Sequence, residues 1–85
     1  MPYRVEIAPA AERQFKNLDI GIARRLRDAI VKLGDNPRPA SAIPMSGPDK
    51  TWRMRLGDYR VIYEIHDGRL VVLVIRVGHR REVYR

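Results

Sequence analysis

Hydrophobic and polar residues alternate over residues 3–8, with Tyr3, Val5 and Ile7 set against Arg4 and Glu6. A period of two predicts a short, half-buried strand. From Pro9 the spacing changes. Ala11, Phe15 and Leu18 recur at helical intervals, and Pro9 suits the first turn of a helix, where its missing N–H is no loss. Asp19 predicts the N-cap of a second helix. There Ile22, Leu26, Ile30 and Leu33 form one apolar stripe, with Arg24, Arg25, Asp28 and Lys32 elsewhere on the surface. Gly34 fits the C′ position and Pro37 blocks continuation. The two helices are expected to form a hairpin.

Residues 35–50 hold Pro37, Pro39, Pro44 and Pro48 and read as a partly extended connector. It is not a domain boundary, because the first strand needs a sheet to join. Three strands follow, at 52–56, 59–66 and 69–77, separated by Gly57-Asp58 and Asp67-Gly68. Both dipeptides suit two-residue hairpin turns, since glycine supplies the positive φ that such turns require. The stretch Leu70 to Val77 is apolar at nearly every position, which predicts a central strand covered on both faces. The expectation is one α+β domain over residues 1–85: a strand, a two-helix hairpin, then a three-stranded antiparallel meander, in one mainly antiparallel four-stranded sheet.

Length allows one domain and not two. The chain has no cysteine, so no disulfide holds the fold and a reducing compartment suits it. The N-terminal residues offer no apolar signal-peptide core, and no apolar run approaches the roughly 20 residues of a membrane span. A soluble, cytoplasmic protein without membrane association is expected. The net charge is +7, and fourteen of the seventeen basic residues are arginine. That balance favours polyanionic partners, either nucleic acid or an acidic protein. A merely solvated basic surface fits the composition equally well, so the placement of the arginines has to decide.

In the first of the three strands Trp52, Met54 and Leu56 point one way, Arg53 and Arg55 the other. A two-residue turn at 57–58 places Leu56 opposite Tyr59, Arg55 opposite Arg60 and Arg53 opposite Ile62. Arg53, Arg55 and Arg60 then share one face, with two like charges directly paired. Such a pair destabilises a ladder. A bound anion relieves the repulsion, and planar guanidinium forks match phosphate oxygens. The competing reading is an exposed face that tolerates arginine through Glu64. The tail from Gly78 to Arg85 adds His79, Arg80, Arg81 and Tyr84, which alone would read as a charged, frayed terminus.

Other chemistry is poorly supported. His66 and His79 make no metal-ligand spacing, Ser41 and Ser46 lie in the proline-rich connector without a partnered histidine, and the six glycines form no phosphate-binding fingerprint. No metal or other cofactor is expected.

The segment Trp52-Arg-Met-Arg-Leu-Gly-Asp-Tyr-Arg-Val-Ile-Tyr-Glu-Ile65, followed by Val77-Gly-His-Arg-Arg-Glu-Val-Tyr84, resembles the RelE branch of the RelE/ParE toxins, and the likeness extends over essentially the whole chain. The resemblance implies the toxin of a type II toxin–antitoxin system, an mRNA interferase that enters the ribosomal A site and cuts bound mRNA. The RNA's own 2′-hydroxyl is the nucleophile, and the products carry a 2′,3′-cyclic phosphate and a 5′-hydroxyl. The partners it implies are the ribosome, mRNA and a RelB-like antitoxin encoded by the adjacent gene. The antitoxin covers the site, and the complex reaches operator DNA through it.

Carried over onto this sequence, Arg60 would hold the scissile phosphate, Arg80 would stabilise developing charge or help protonate the leaving oxygen, and Tyr84 would be the general base. Arg53 and Arg55 match two basic positions that are lysines in the best-known members. Arginine keeps its proton near neutral pH, so here they serve as charges and donors, with His79 and Arg81 as further RNA contacts. His79 is also an alternative base, because its ordinary pKa lies closer to neutrality. Two other readings use the same fold: a ParE-like poison of DNA gyrase without RNA chemistry, and an inactive antitoxin-binding module. The pairing of Arg80 with Tyr84 favours the ribonuclease, since a gyrase poison needs neither.

Overall fold

The computed structural model describes residues 2–45 and 51–83, so Ser46, Pro48 and Tyr84 lie outside the described residues. Strand β1 (Arg4–Ile7) leads into helix α1 (Pro9–Lys16), with Pro9 in its first turn, as the loss-free placement of proline requires. Helix α2 (Ile20–Lys32) is capped by Asp19, whose carboxylate accepts the Gly21 N–H at 3.0 Å. Leu26, Ile30 and Leu33 of the apolar stripe are buried, together with Ala11 and Phe15 of α1. Gly34 follows the C-cap, but its backbone is not left-handed. Its role is close approach. Its carbonyl accepts the Tyr3 N–H at 2.6 Å, and a Cβ there would meet the Tyr3 carbonyl oxygen at 2.9 Å.

The remaining elements are β2 (Ala42–Pro44), β3 (Thr51–Leu56), β4 (Tyr59–His66), β5 (Val71–His79) and a short helix α3 (Arg80–Val83). They complete one mixed sheet in the order β1-β5-β4-β3-β2, with β1 parallel to β5 and every other pair antiparallel. The class is the expected α+β, with one strand more than expected. The proline-rich connector supplies it: β2 pairs with β3 at the sheet edge, where a proline lacking an N–H is tolerated. The middle of the five strands is therefore β4, and β5 lies between it and β1.

The two turns differ from each other. Gly57 has φ +60 in a two-residue connection, as hairpin geometry demands. The second connection is a 3-10 turn over Asp67–Arg69 that ends on Leu70 in the left-handed region, so His66 pairs with Val71 and four residues intervene. Leu70 thus belongs to the turn.

Both helices cover one face of the sheet. Met54, Val61, Tyr63, Ile65, Val72, Val74 and Val77 pack beneath them, and among the described residues neither α1 nor α2 covers the other, open face. The connector is fastened from both sides. Burial pushes the Tyr63 hydroxyl up to about 12, and it donates to the Pro37 carbonyl at 2.6 Å. Arg38 places its guanidinium 5.4 Å from the centre of the Trp52 ring and forks onto the Asp67 carboxylate, which Tyr3 also contacts through its hydroxyl.

These two donors, Arg38 first, hold the Asp67 carboxyl below the usual carboxylate range. A depressed folded-state pKa adds stability above the ordinary value of about 4, and that stability is lost as pH falls through the folded value. Asp67→Asn is expected to melt below the wild-type chain at pH 6 and to converge on it near pH 3. Thermal unfolding followed by circular dichroism checks this, and parallel pH profiles for the two proteins would contradict it.

Candidate active site on the open face of the sheet

The β3–β4 hairpin pairs Arg55 with Arg60, Arg53 with Ile62, and Leu56 with Tyr59, the register expected from a two-residue turn. Trp52, Met54 and Leu56 therefore face the helices, and the arginines face outward. Ser41 and Ile43, beside β3 at the sheet edge, join Arg53, Arg55 and Arg60 around a depression of about 190 Å³. Next to β4, β5 contributes Gly78 opposite Arg60 and Arg76 opposite Ile62. Arg76 was not among the residues expected here.

The open face is electrically divided. Its carboxylates, Glu6 and Glu64, stand toward the opposite end of the sheet. Glu6 bonds to Arg4 at 2.9 Å and Glu64 to His66 at 2.8 Å. Toward the β3–β4 turn the face carries Arg53, Arg55, Arg60 and Arg76. Arg55 is exposed, whereas Arg60 is half-buried and donates to the carbonyls of Gly57 (3.2 Å) and Tyr59 (3.1 Å). Arg60 thus braces the turn that sets its own position.

The C-terminal segment is tied to the same end. The Arg80 N–H donates to the Asp58 carbonyl at 2.9 Å, which anchors the start of α3 on the β3–β4 turn and leaves the Arg80 side chain exposed. Arg81 is also exposed. His79 does not join the arginines. It lies opposite Tyr59, on the helix side of the sheet, with its ring edge-on to Tyr59 at 5.6 Å. Its Nδ1 accepts the Arg81 N–H at 3.3 Å. The expected RNA-contact residues are thus split, with Arg53 and Arg55 on the open face, Arg81 beyond its end, and His79 turned away.

Chemically, the surface offers fixed guanidinium donors to a phosphodiester on a rigid sheet, an arrangement suited to stabilising charge on phosphorus. Among the described residues no group of three His, Asp or Glu side chains comes together as a metal site, and no helix is long and apolar enough to cross a membrane.

Known proteins share this arrangement of elements. Residues 5–84 match the family model described as the ParE toxin of the type II toxin–antitoxin system parDE. The chain is 32% identical over 85 residues to a toxin RelE of Mycobacterium tuberculosis, covering 99% of this chain and 88% of that protein. It is 28% identical over 88 residues to the mRNA interferase toxin RelE of Escherichia coli K12, covering 99% and 92%. The crystal structure of an archaeal RelE–RelB complex from Pyrococcus horikoshii superposes with a TM-score of 0.83 at 29% identity, over 96% of this chain and 99% of that one.

Cross-strand like charges cost up to about 1 kcal/mol. Arg55 is exposed while Arg60 braces the turn, so relief comes from changing Arg55. Arg55→Gln is expected to raise the melting temperature by a few degrees at low salt, and the gain should shrink in 0.5 M salt as the repulsion is screened. A lower melting temperature, or a gain indifferent to salt, would contradict the repulsion.

Proposed function

We propose that this chain, which belongs to the ParE toxin family of type II toxin–antitoxin systems and is RelE-like within it, is a ribosome-dependent endoribonuclease that cuts mRNA in the A site. The observation that carries the reading is the Arg55–Arg60 pair at the end of the open face where Arg80 is anchored. The sheet keeps like charges together where a phosphodiester would neutralise them, and two relatives are named as mRNA interferases.

In the proposed reaction the 2′-hydroxyl attacks the adjacent phosphorus. A bond forms from O2′ to phosphorus, the bond from phosphorus to O5′ breaks, O5′ takes up a proton from water, and the RNA ends in a 2′,3′-cyclic phosphate and a 5′-hydroxyl. Arg60 holds the non-bridging oxygens of the scissile phosphate, and Arg80 stabilises the charge that develops there. Both act as pre-positioned donors, which is the larger part of catalysis for a charged transition state. Arg53, Arg55 and Arg81 hold the strand through its backbone.

Tyr84 takes the proton from O2′. Arg80, Arg81 and Arg85 are near Tyr84 in sequence, and cationic neighbours favour a phenolate over the ordinary protonated phenol. His79 faces the helices, so we assign it to holding the start of α3 and not to RNA contact or proton transfer. The charge stabilisation comes from guanidinium groups, so the reaction as written needs no metal.

The natural inhibitor on this reading is a RelB-like antitoxin, since relatives are crystallised in complex with RelB, and an acidic segment would suit the arginine face. Mapping mRNA 5′ ends after brief induction, in cells lacking the antitoxin, tests the activity. New 5′ ends at codon-phased positions within translated reading frames are the expected result. Intact mRNA together with DNA breaks dependent on gyrase would transfer the assignment to gyrase poisoning.

A further inference from the structure

The two ends of β5 follow opposite alternations. Val72 and Val74, at even numbers, lie in the core under the helices, and so does Val77, at an odd number. The register accounts for the change of phase. Tyr63 pairs with Val74 while its neighbour Ile62 pairs with Arg76, so Ile75 is an extra residue, a β-bulge on β5. An unbroken strand would point Arg76 beneath the helices and Val77 into water. A buried guanidinium without a partner is prohibitive. The bulge instead delivers Arg76, which is exposed, to the open face opposite Ile62.

This irregularity is braced from both sides. Before it, the Val74 carbonyl accepts the Ala8 N–H at 2.8 Å, and after it Gln14 of α1 reaches across to accept the Val77 N–H at 2.8 Å. Bulges of this kind re-aim side chains beside functional sites.

We propose that Arg76 is a further phosphate-binding residue of the arginine face, placed there by the bulge to hold the phosphate next to the scissile one. The inference rests on the ribonuclease reading above. Arg60 opposes Gly78, so Arg76, two residues earlier on β5, is its diagonal neighbour at about 7–8 Å, a spacing comparable to one nucleotide step. Arg53 lies on the far side of Ile62, about 10 Å from Arg76, twice the strand spacing. Ile62 is only 7% exposed although it stands on the open face outside the core cluster, and the stems of flanking arginines are suited to shielding it. Arg53, Arg60 and Arg76 thus stand at neighbouring positions around Ile62 on one face of the sheet.

Single-turnover cleavage of mRNA on programmed ribosomes, followed against toxin concentration, tests the assignment. The mRNA carries an uncharged methylphosphonate at one linkage at a time. With the wild-type chain, neutralising one linkage adjacent to the cut should raise the half-saturating concentration about tenfold, as expected for a lost phosphate contact, with the maximal rate within about threefold. Arg76→Ala should show the same loss on unmodified mRNA and no further loss with that methylphosphonate, and Arg76→Lys should recover most of it. A wild-type profile with no sensitive linkage beside the scissile one would overturn the proposal without any variant. So would an Arg76→Ala protein that keeps wild-type half-saturation. A wild-type chain that leaves ribosome-bound mRNA intact removes the ribonuclease reading and this one with it, whereas cutting that is indifferent to Arg76 removes this one alone.

Discussion

The register of the β3–β4 hairpin is the constraint on which the rest depends. Side chains alternate with a period of two, so a slip of a single residue exchanges the faces completely. Trp52, Met54 and Leu56 would enter water, and Arg53 and Arg55 would be driven under the helices. Burying even one unpaired guanidinium costs more than a domain this small can spare. The core therefore holds the arginines outward, and Gly57 at φ +60 closes the turn in the one length compatible with that register. The repulsion between Arg55 and Arg60 is tolerated because it is local, while a slip would disrupt the whole sheet.

The same logic governs β5. Its first half is in phase with the helices through Val72 and Val74, and its second through Val77, with Ile75 absorbing the difference. The bulge is a backbone irregularity with an electrostatic consequence, since it decides which side of the sheet Arg76 occupies. The open face then sorts its charges, with Glu6 and Glu64 engaged at one end and four arginines at the other. A polyanion meets a graded surface, attractive toward the hairpin turn and α3. Helix α3 begins there because the Arg80 N–H is bonded to the Asp58 carbonyl of that turn.

Periodicity made most of the fold legible. The helices, their starts at Pro9 and after the Asp19 cap, and the pairing of Arg55 with Arg60 all follow from local spacing and turn chemistry. What stayed hidden depends on tertiary context. Residues 42–44 carry too few side chains to announce a strand, and only the free edge of β3 makes them one. Asp67-Gly68 resembled a two-residue turn, but Arg38 and Tyr3 hold Asp67 from outside the hairpin, and the chain turns over four residues. The almost continuously apolar β5 masks its own change of phase. Its lone arginine was the available signal, since a guanidinium amid valines demands an exit to solvent. Counting outward from the bulge places His79 with Tyr59 on the helix side.

The central claim is that guanidinium groups fixed by this sheet stabilise charge on phosphorus during strand cleavage. The most direct measurement is the single-turnover rate of mRNA cleavage on programmed ribosomes at saturating toxin, for the wild-type chain and for Arg60→Ala and Arg80→Ala. Loss of a pre-positioned donor should lower that rate by about 10²–10³-fold in each variant. Saturation should still be reached, and the folded state should persist at the assay temperature. Rates within a few-fold of wild type in both variants would contradict the account.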